Sequence, residues 1–250
     1  LKLSIATNSL IAGQASRLRQ ITEAQTAMLP SPSDYPEARF GVYYKSLEEA
    51  GGDFYDILNV SDRITGYFIA DFSGHDIRTS YMTASLKALL AQNCTPVYSP
   101  AESMKMINDV LVEIMPEGKY LTACYLHMNR ITRQITIINA GHPPVVFAPK
   151  GQAPFLVKTD GDILGMFKDA HFGISRIDVN EGDRFFVYSD AMVESAENRI
   201  TWASGADHLL PYFSRMKDLL YKESPEALIQ YRFENNSEPE DVLVVLCVEV

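Results

Sequence analysis

Cysteine is scarce in this chain: Cys94, Cys124 and Cys247 are the only three, in unrelated contexts and without CxxC spacing. An odd count lying mostly inside apolar runs excludes a disulfide framework. It reads as buried free thiols in a reducing compartment, which points to the cytoplasm. Positive charge is in deficit as well, with 22 Lys and Arg against 32 Asp and Glu and a net charge of -10. No basic cluster stands out against that field, which excludes a nucleic-acid surface and disfavours an anionic membrane. A basic or metal-bridged partner fits the charge. No apolar run approaches the ~20 residues needed to cross a bilayer, and there is no signal peptide. Also missing are GxSxG, the P-loop, and any Ser or Cys nucleophile motif. The chain starts at Leu1 rather than Met, so it is expected to be a piece of a longer protein.

What is present is ordinary globular composition, 46% hydrophobic and 22% charged over 250 residues, enough for a substantial core. Leu10, Leu18, Ile21, Ala24 and Met28 recur at helical spacings, predicting a helix over about Ser4–Met28 that Pro30 and Pro32 stop. It either packs on its own domain or serves as a linker or dimer helix to an upstream domain. Strands are predicted at Ala38–Tyr44, Phe54–Val60 and Thr65–Phe72, then helices at Ile77–Gln92 and Pro100–Met115. Further strands follow at Leu121–Met128, Gln134–Asn139, Pro144–Ala148, Phe172–Val179 and Arg184–Ser189. Helices at Ala206–Tyr221 and Pro225–Tyr231 precede a last strand, Val242–Val248. That order predicts one α+β domain over residues 29–250, with antiparallel sheets and helices packed outside, preceded by the helix of residues 1–28.

Four acidic positions stand at the ends of these strands: Asp53, Asp71, Asp190 and the pair Glu240-Asp241. Carboxylates ending so many apolar strands imply convergence on something positive, and Mg²⁺ or Mn²⁺ suits an all-oxygen site. Each segment also has a plainer reading. Gly51-Gly52-Asp53 can be a turn, and Asp71 can cap the helix that follows it. His75 suits capping or orientation of a ligand better than direct ligation. Asn139-Ala140-Gly141-His142-Pro143-Pro144 is either a turn stiffened by proline or the support of an active site.

Taken in order, these segments resemble a family. They are Gly-Gly-Asp-Phe-Tyr-Asp at 51–56, Asp-Phe-Ser-Gly-His at 71–75, Asn108, Leu-Thr-Ala-Cys-Tyr at 121–125, and Asn-Ala-Gly-His-Pro-Pro at 139–144. Leu164-Gly165, Glu181-Gly182-Asp183, Tyr-Ser-Asp-Ala-Met-Val-Glu at 188–194 and the terminal acidic pair complete the set. Over about residues 24–250 the chain is similar to the SpoIIE/RsbU branch of the metal-dependent PPM (protein phosphatase 2C-like) serine phosphatases. The resemblance implies a β-sandwich flanked by helices, with two Mn²⁺ or Mg²⁺ ions at one end. It implies Asp71 as the bridge, Asp53 and the Phe72 carbonyl on one ion, and Asp190 with Glu240 or Asp241 on the other. It also implies water activation, a phosphorylated STAS-domain protein as substrate, an upstream sensor or receiver domain, and dimerisation through the N-terminal helix.

Three positions depart from the family pattern. Ala191 replaces the glycine after the ligand aspartate, where a methyl is expected to crowd the turn. Asp76 replaces a glycine and adds an acid, and Glu240 replaces an aspartate with a side chain one methylene longer. They leave open a degenerate phosphatase fold acting as a docking adaptor. A nucleotide cyclase is a remote third reading, because Phe54 stands where the GGDEF signature has glutamate.

Overall fold

The computed structural model describes residues 16, 19–45, 52–74, 77–193, 206–234 and 242–250. A helix over residues 19–28 (α1) leads into the 3-10 turn Pro36–Ala38 and then β1 (Phe40–Lys45), β2 (Asp53–Ser61) and β3 (Ile64–Phe72). Next come α2 (Ile77–Asn93), α3 (Pro100–Ile114), β4 (Leu121–Asn129), β5 (Gln134–Ala140), β6 (Val145–Ala148), β7 (Phe155–Val157), β8 (Gly173–Asp178) and β9 (Arg184–Tyr188). The chain continues through α4 (Leu210–Ser214) and α5 (Ser224–Phe233) to β10 (Leu243–Glu249).

The strands form two five-stranded antiparallel sheets, β1-β10-β9-β6-β7 and β2-β3-β4-β5-β8, as the α+β reading requires. Alternation along each strand divides the apolar side chains among three cores. Tyr55, Ile57, Ile69, Leu126, Val187 and Leu246 pack between the sheets. Phe54, Leu58, Phe68 and Tyr125 point the other way, onto Leu86 and Leu90 of α2 and Ile107 and Leu111 of α3. Phe186, Tyr188 and Val245 of the second sheet meet Phe213 of α4 and Leu228 of α5. The order of layers is helix, sheet, sheet, helix. β4 and β10 are covered on both faces, which explains their nearly unbroken apolar sequences.

Local chemistry sets the boundaries. A capping box starts α3: the Ser99 hydroxyl accepts from the Glu102 N–H at 3.3 Å, and the Glu102 carboxylate accepts from the Ser99 N–H at 2.7 Å. At one pole of the sandwich, Glu249 accepts from Arg184 Nε at 2.8 Å and from Arg39, joining the last strand to the starts of β9 and β1. Asp56 faces the helices rather than the other sheet. It is buried and paired with Lys87 of α2 at 2.8 Å, yet desolvation still holds its pKa above the ordinary value.

Several expectations shift. Pro36 opens a 3-10 turn and Arg39 takes a left-handed conformation (φ 48°), so β1 begins at Phe40 rather than Ala38. The helix expected over Ala206–Tyr221 is instead three short pieces, Ala206–Leu209, Leu210–Ser214 and Arg215–Asp218. Pro211 has no N–H to continue a helix and sits in the first turn of a new one. β7, three residues long between Pro154 and Lys158, escapes a pattern reading altogether. In α1 the buried side chain is Gln25, not the expected Ala24, and its amide donates to Thr83 of α2 at 3.4 Å. No helix among the described residues is long and apolar enough to cross a membrane. All three cysteines are buried and unpaired, and burial pushes the Cys94 thiol up to about 12.

Two outcomes follow from the packing. Leu246 is fully buried between the sheets, so Leu246→Ala should destabilise the fold by about 2–5 kcal/mol in urea unfolding. Asp56 has a raised folded pKa, so the stability it contributes is present below the ordinary carboxylate range and is lost as pH rises through the raised value. Asp56→Asn cannot lose it. Unfolding measured across pH 4–7 should therefore show the variant gaining on the parent as pH rises; a constant difference would contradict this assignment.

Candidate metal centre

The inner face of each sheet turns polar at the pole away from Glu249. In the first sheet, register places Asp53 of β2 opposite Asp71 of β3, and Asp71 opposite Thr122 of β4. These three continue the inward rows of Tyr55, Ile69 and Cys124, so the apolar filling of the sandwich ends in two carboxylates and a hydroxyl. Cross-strand neighbours stand ~4.5–5.5 Å apart, where like charges repel. In the second sheet the matching row is Tyr44, Val244 and Ser189: Tyr44 pairs with Val244, whose carbonyl accepts from the Ser189 N–H at 3.0 Å. The two rows face each other. Burial and then the charge of Asp53 push the Tyr44 phenol up to about 12, and the Tyr44 and Tyr55 rings lie 6.1 Å apart.

Gly52 shows where oxygen ligands converge. A β-carbon built on it would fall 2.7 Å from the Phe72 carbonyl oxygen and 3.1 Å from Asp71 Oδ1. Only a glycine lets the backbone lie this close to both oxygens. Two facing carboxylates and a convergent carbonyl are an all-oxygen donor set that fits Mg²⁺ or Mn²⁺.

Asp190 stands on the facing sheet, in the 3-10 turn Asp190–Met192 that ends β9. Ser189 fixes that turn, its hydroxyl accepting from the Val244 N–H at 3.0 Å and donating to the Val242 carbonyl at 3.4 Å. Ala191 does not crowd the turn as expected: it has no positive φ, and its methyl is buried in the cluster of Tyr188, Met192 and Val193. Among the described residues, no three His, Cys, Asp or Glu side chains gather at metal-binding distance. The structure thus pairs Asp53 with Asp71 and sets Phe72 beside them, while Asp190 is placed on the opposite sheet. Glu240, Asp241, His75 and Asp76 lie outside the described residues.

The loop of residues 141–144 carries the chain from β5 to β6, and hence from one sheet to the other. Asn139 clamps it, its side-chain amide donating to the His142 carbonyl and accepting from the His142 N–H, both at 2.9 Å. Gly141 has φ 70°, and Ile163 occupies the space its β-carbon would take. A cavity of about 270 Å³ opens beside the loop, lined by His142, Lys158, Thr159 and Asp160. The larger cavity, about 550 Å³ around Arg184 and Glu249, is at the opposite pole and remote from the aspartates. Other motif residues are structural. Asn108 is buried, donates to the Phe167 carbonyl at 2.8 Å and accepts from the Gly165 N–H at 3.0 Å. Asp183 accepts from the Lys150 and Asn180 amides, both at 2.8 Å. Tyr44 and Thr122 carry no assigned role in the sequence reading. Their signal was available as polar groups keeping the parity of inward-facing apolar neighbours.

Comparison with known proteins agrees with this fold. The family described as Stage II sporulation protein E (SpoIIE) matches residues 61–250. The phosphoserine phosphatase RsbP of Bacillus subtilis (strain 168) is 28% identical over 174 residues, which are 68% of this chain and 43% of RsbP. The chain therefore spans less than half the length of that relative. Among solved structures, the SiaA-PP2C domain of Pseudomonas aeruginosa superposes with a TM-score of 0.80 at 16% identity, covering 98% of this chain and 99% of that one. The PP2C phosphatase domain of SpoIIE from Bacillus subtilis, with a fragment of its regulatory domain, gives a TM-score of 0.69 at 18% identity, covering 84% and 62%. The fold is that of the PP2C-type domains, and the chain belongs to the SpoIIE family.

Proposed function

We propose that this chain is a metal-dependent protein serine/threonine phosphatase that removes phosphate from phosphoserine or phosphothreonine on a partner protein. One observation carries the reading: Asp53 and Asp71 face each other at the mouth of the sandwich, with Asp71 Oδ1 and the Phe72 carbonyl converging beside Gly52. Asp53, Asp71 and the Phe72 carbonyl would hold one divalent cation. Asp71 with Asp190 and Glu240 or Asp241 would hold a second. When bound, two such cations acidify a water and neutralise phosphoryl charge. The chain supplies the rest. Its carboxylates fix the ions, its closely packed sheets keep the floor of the site dry, and the neighbouring cavity leaves room for residues flanking the phosphate.

The name of RsbP supports phosphoserine as the substrate class. Family likeness supports a small phosphorylated STAS-domain protein as partner, an anti-sigma-factor antagonist in bacterial signalling. A second reading is a catalytically silent adaptor that keeps the fold and binds the partner. It is favoured by the departures from the family pattern at Asp76, Ala191 and Glu240. We further infer that α1 reports the state of an upstream sensor or receiver domain, with dimerisation as the signal, because Gln25 couples it to Thr83 of α2.

Phosphate release from a phosphoserine protein should require Mn²⁺ or Mg²⁺, stop on chelation and return on reloading. Asp71→Asn should lower it at least about 100-fold, beyond the usual effect of losing a group that merely orients a ligand. Full activity in Asp71→Asn would overturn the metal reading, whereas no hydrolysis at saturating Mn²⁺ with partner binding intact would establish the adaptor. Deleting residues 1–23 of the full-length protein should change oligomeric state and regulation, and unchanged values of both would remove the signalling role of the helix.

A further inference from the structure

We propose that His142 is a positioning residue that sets the separation of the two half-sites, holding Asp190 on one sheet at a fixed distance from Asp53 and Asp71 on the other. The inference rests on the proposed two-cation phosphatase and adds a residue to it. His142 lies on the loop of 141–144 that joins the sheets. Its Nδ1 is 3.2 Å from the Thr122 hydroxyl, and Thr122 stands beside Asp71 in the polar row of the first sheet. On its other side the loop enters β6, whose Val146 pairs with Phe186 of β9, the strand that leads to Asp190. Nε2 has no partner of ordinary hydrogen-bond geometry among the described residues.

The imidazole cannot drift. Asn139 holds both backbone polar groups of His142, and Pro143 and Pro144 restrict the chain that follows. His142 is 6% exposed, and burial drives its pKa down to about 3, so the ring is a neutral spacer. A buried polar ring with one nitrogen short of a good partner costs stability that an apolar side chain of similar size would not. A site that tolerates this cost is using the ring for geometry rather than for packing. Neutrality matters too, because a cation here would compete with the metal ions for the same carboxylates.

The test is Mn²⁺ binding to the apoprotein, followed by calorimetry and by electron paramagnetic resonance, with kinetics on a phosphoserine protein alongside. His142→Ala should weaken the more loosely held Mn²⁺ about 10–100-fold and lower kcat with little change in KM, the scale expected when an orienting group is lost. His142→Gln, which restores a neutral donor and acceptor, should recover part of the affinity. Thr122→Val keeps the shape and removes only the link to Nδ1, so it should reproduce part of the loss, and it decides the matter if His142→Ala does not fold. Leu246→Ala controls for stability: it should lower the melting temperature while leaving Mn²⁺ affinity unchanged. Parental Mn²⁺ affinity in folded His142→Ala, or in Thr122→Val when His142→Ala does not fold, would overturn the assignment of His142 alone. If the parent itself binds no Mn²⁺, the phosphatase reading falls first and this inference falls with it.

Discussion

Two carboxylates held side by side on adjacent strands repel each other, and everything at this end of the molecule answers to that repulsion. Asp53 and Asp71 cannot separate, because the hairpin of β2 and β3 fixes their register and packing against α2 and α3 fixes the hairpin. Asp53 is itself buried, where the cost of its charge rises steeply. The sandwich places them where the apolar filling stops, so that compensation can arrive from outside. The divalent cation proposed for this end would offset that repulsion.

The rest of the fold keeps that pair in place. Three apolar cores lie in series, and a shift in one is passed to the next because protein interiors have little free volume. Strands such as β4 and β10 are gripped on both faces and serve as rigid rods. Glu249 locks the far pole with Arg39 and Arg184. At the near pole, Ser189, Asn139 and His142 contribute hydrogen bonds that tie strand ends and the loop of 141–144 together.

Much of this was legible in the sequence, and what was not has identifiable causes. Strands ending at Asp71 and starting near Asp53 could be read because apolar runs give way abruptly to acids. Asp53 and Asp56 belong to one motif, yet one faces the other sheet and the other pairs with Lys87. Parity separates them, but only the assembled layers say which face is which. Leu209, Phe213 and Met216 keep a helical spacing across Pro211, so three short pieces read as one long helix. The placement of His142 was beyond a linear reading, since its Thr122 contact lies 20 positions away. Asn108 was marked by its motif, but whether it served chemistry or a loop required the bonds to Phe167 and Gly165.

The buried thiols have a practical side. Cys94, Cys124 and Cys247 are packed into three different cores, and burial raises the pKa of each, which suppresses the reactive thiolate. The folded chain is therefore almost silent toward alkylating reagents. A single cysteine introduced on its surface would be the one position to accept a fluorophore or spin label. Domain motions could then be followed in the native background, with no need to strip the chain of its own sulfur first.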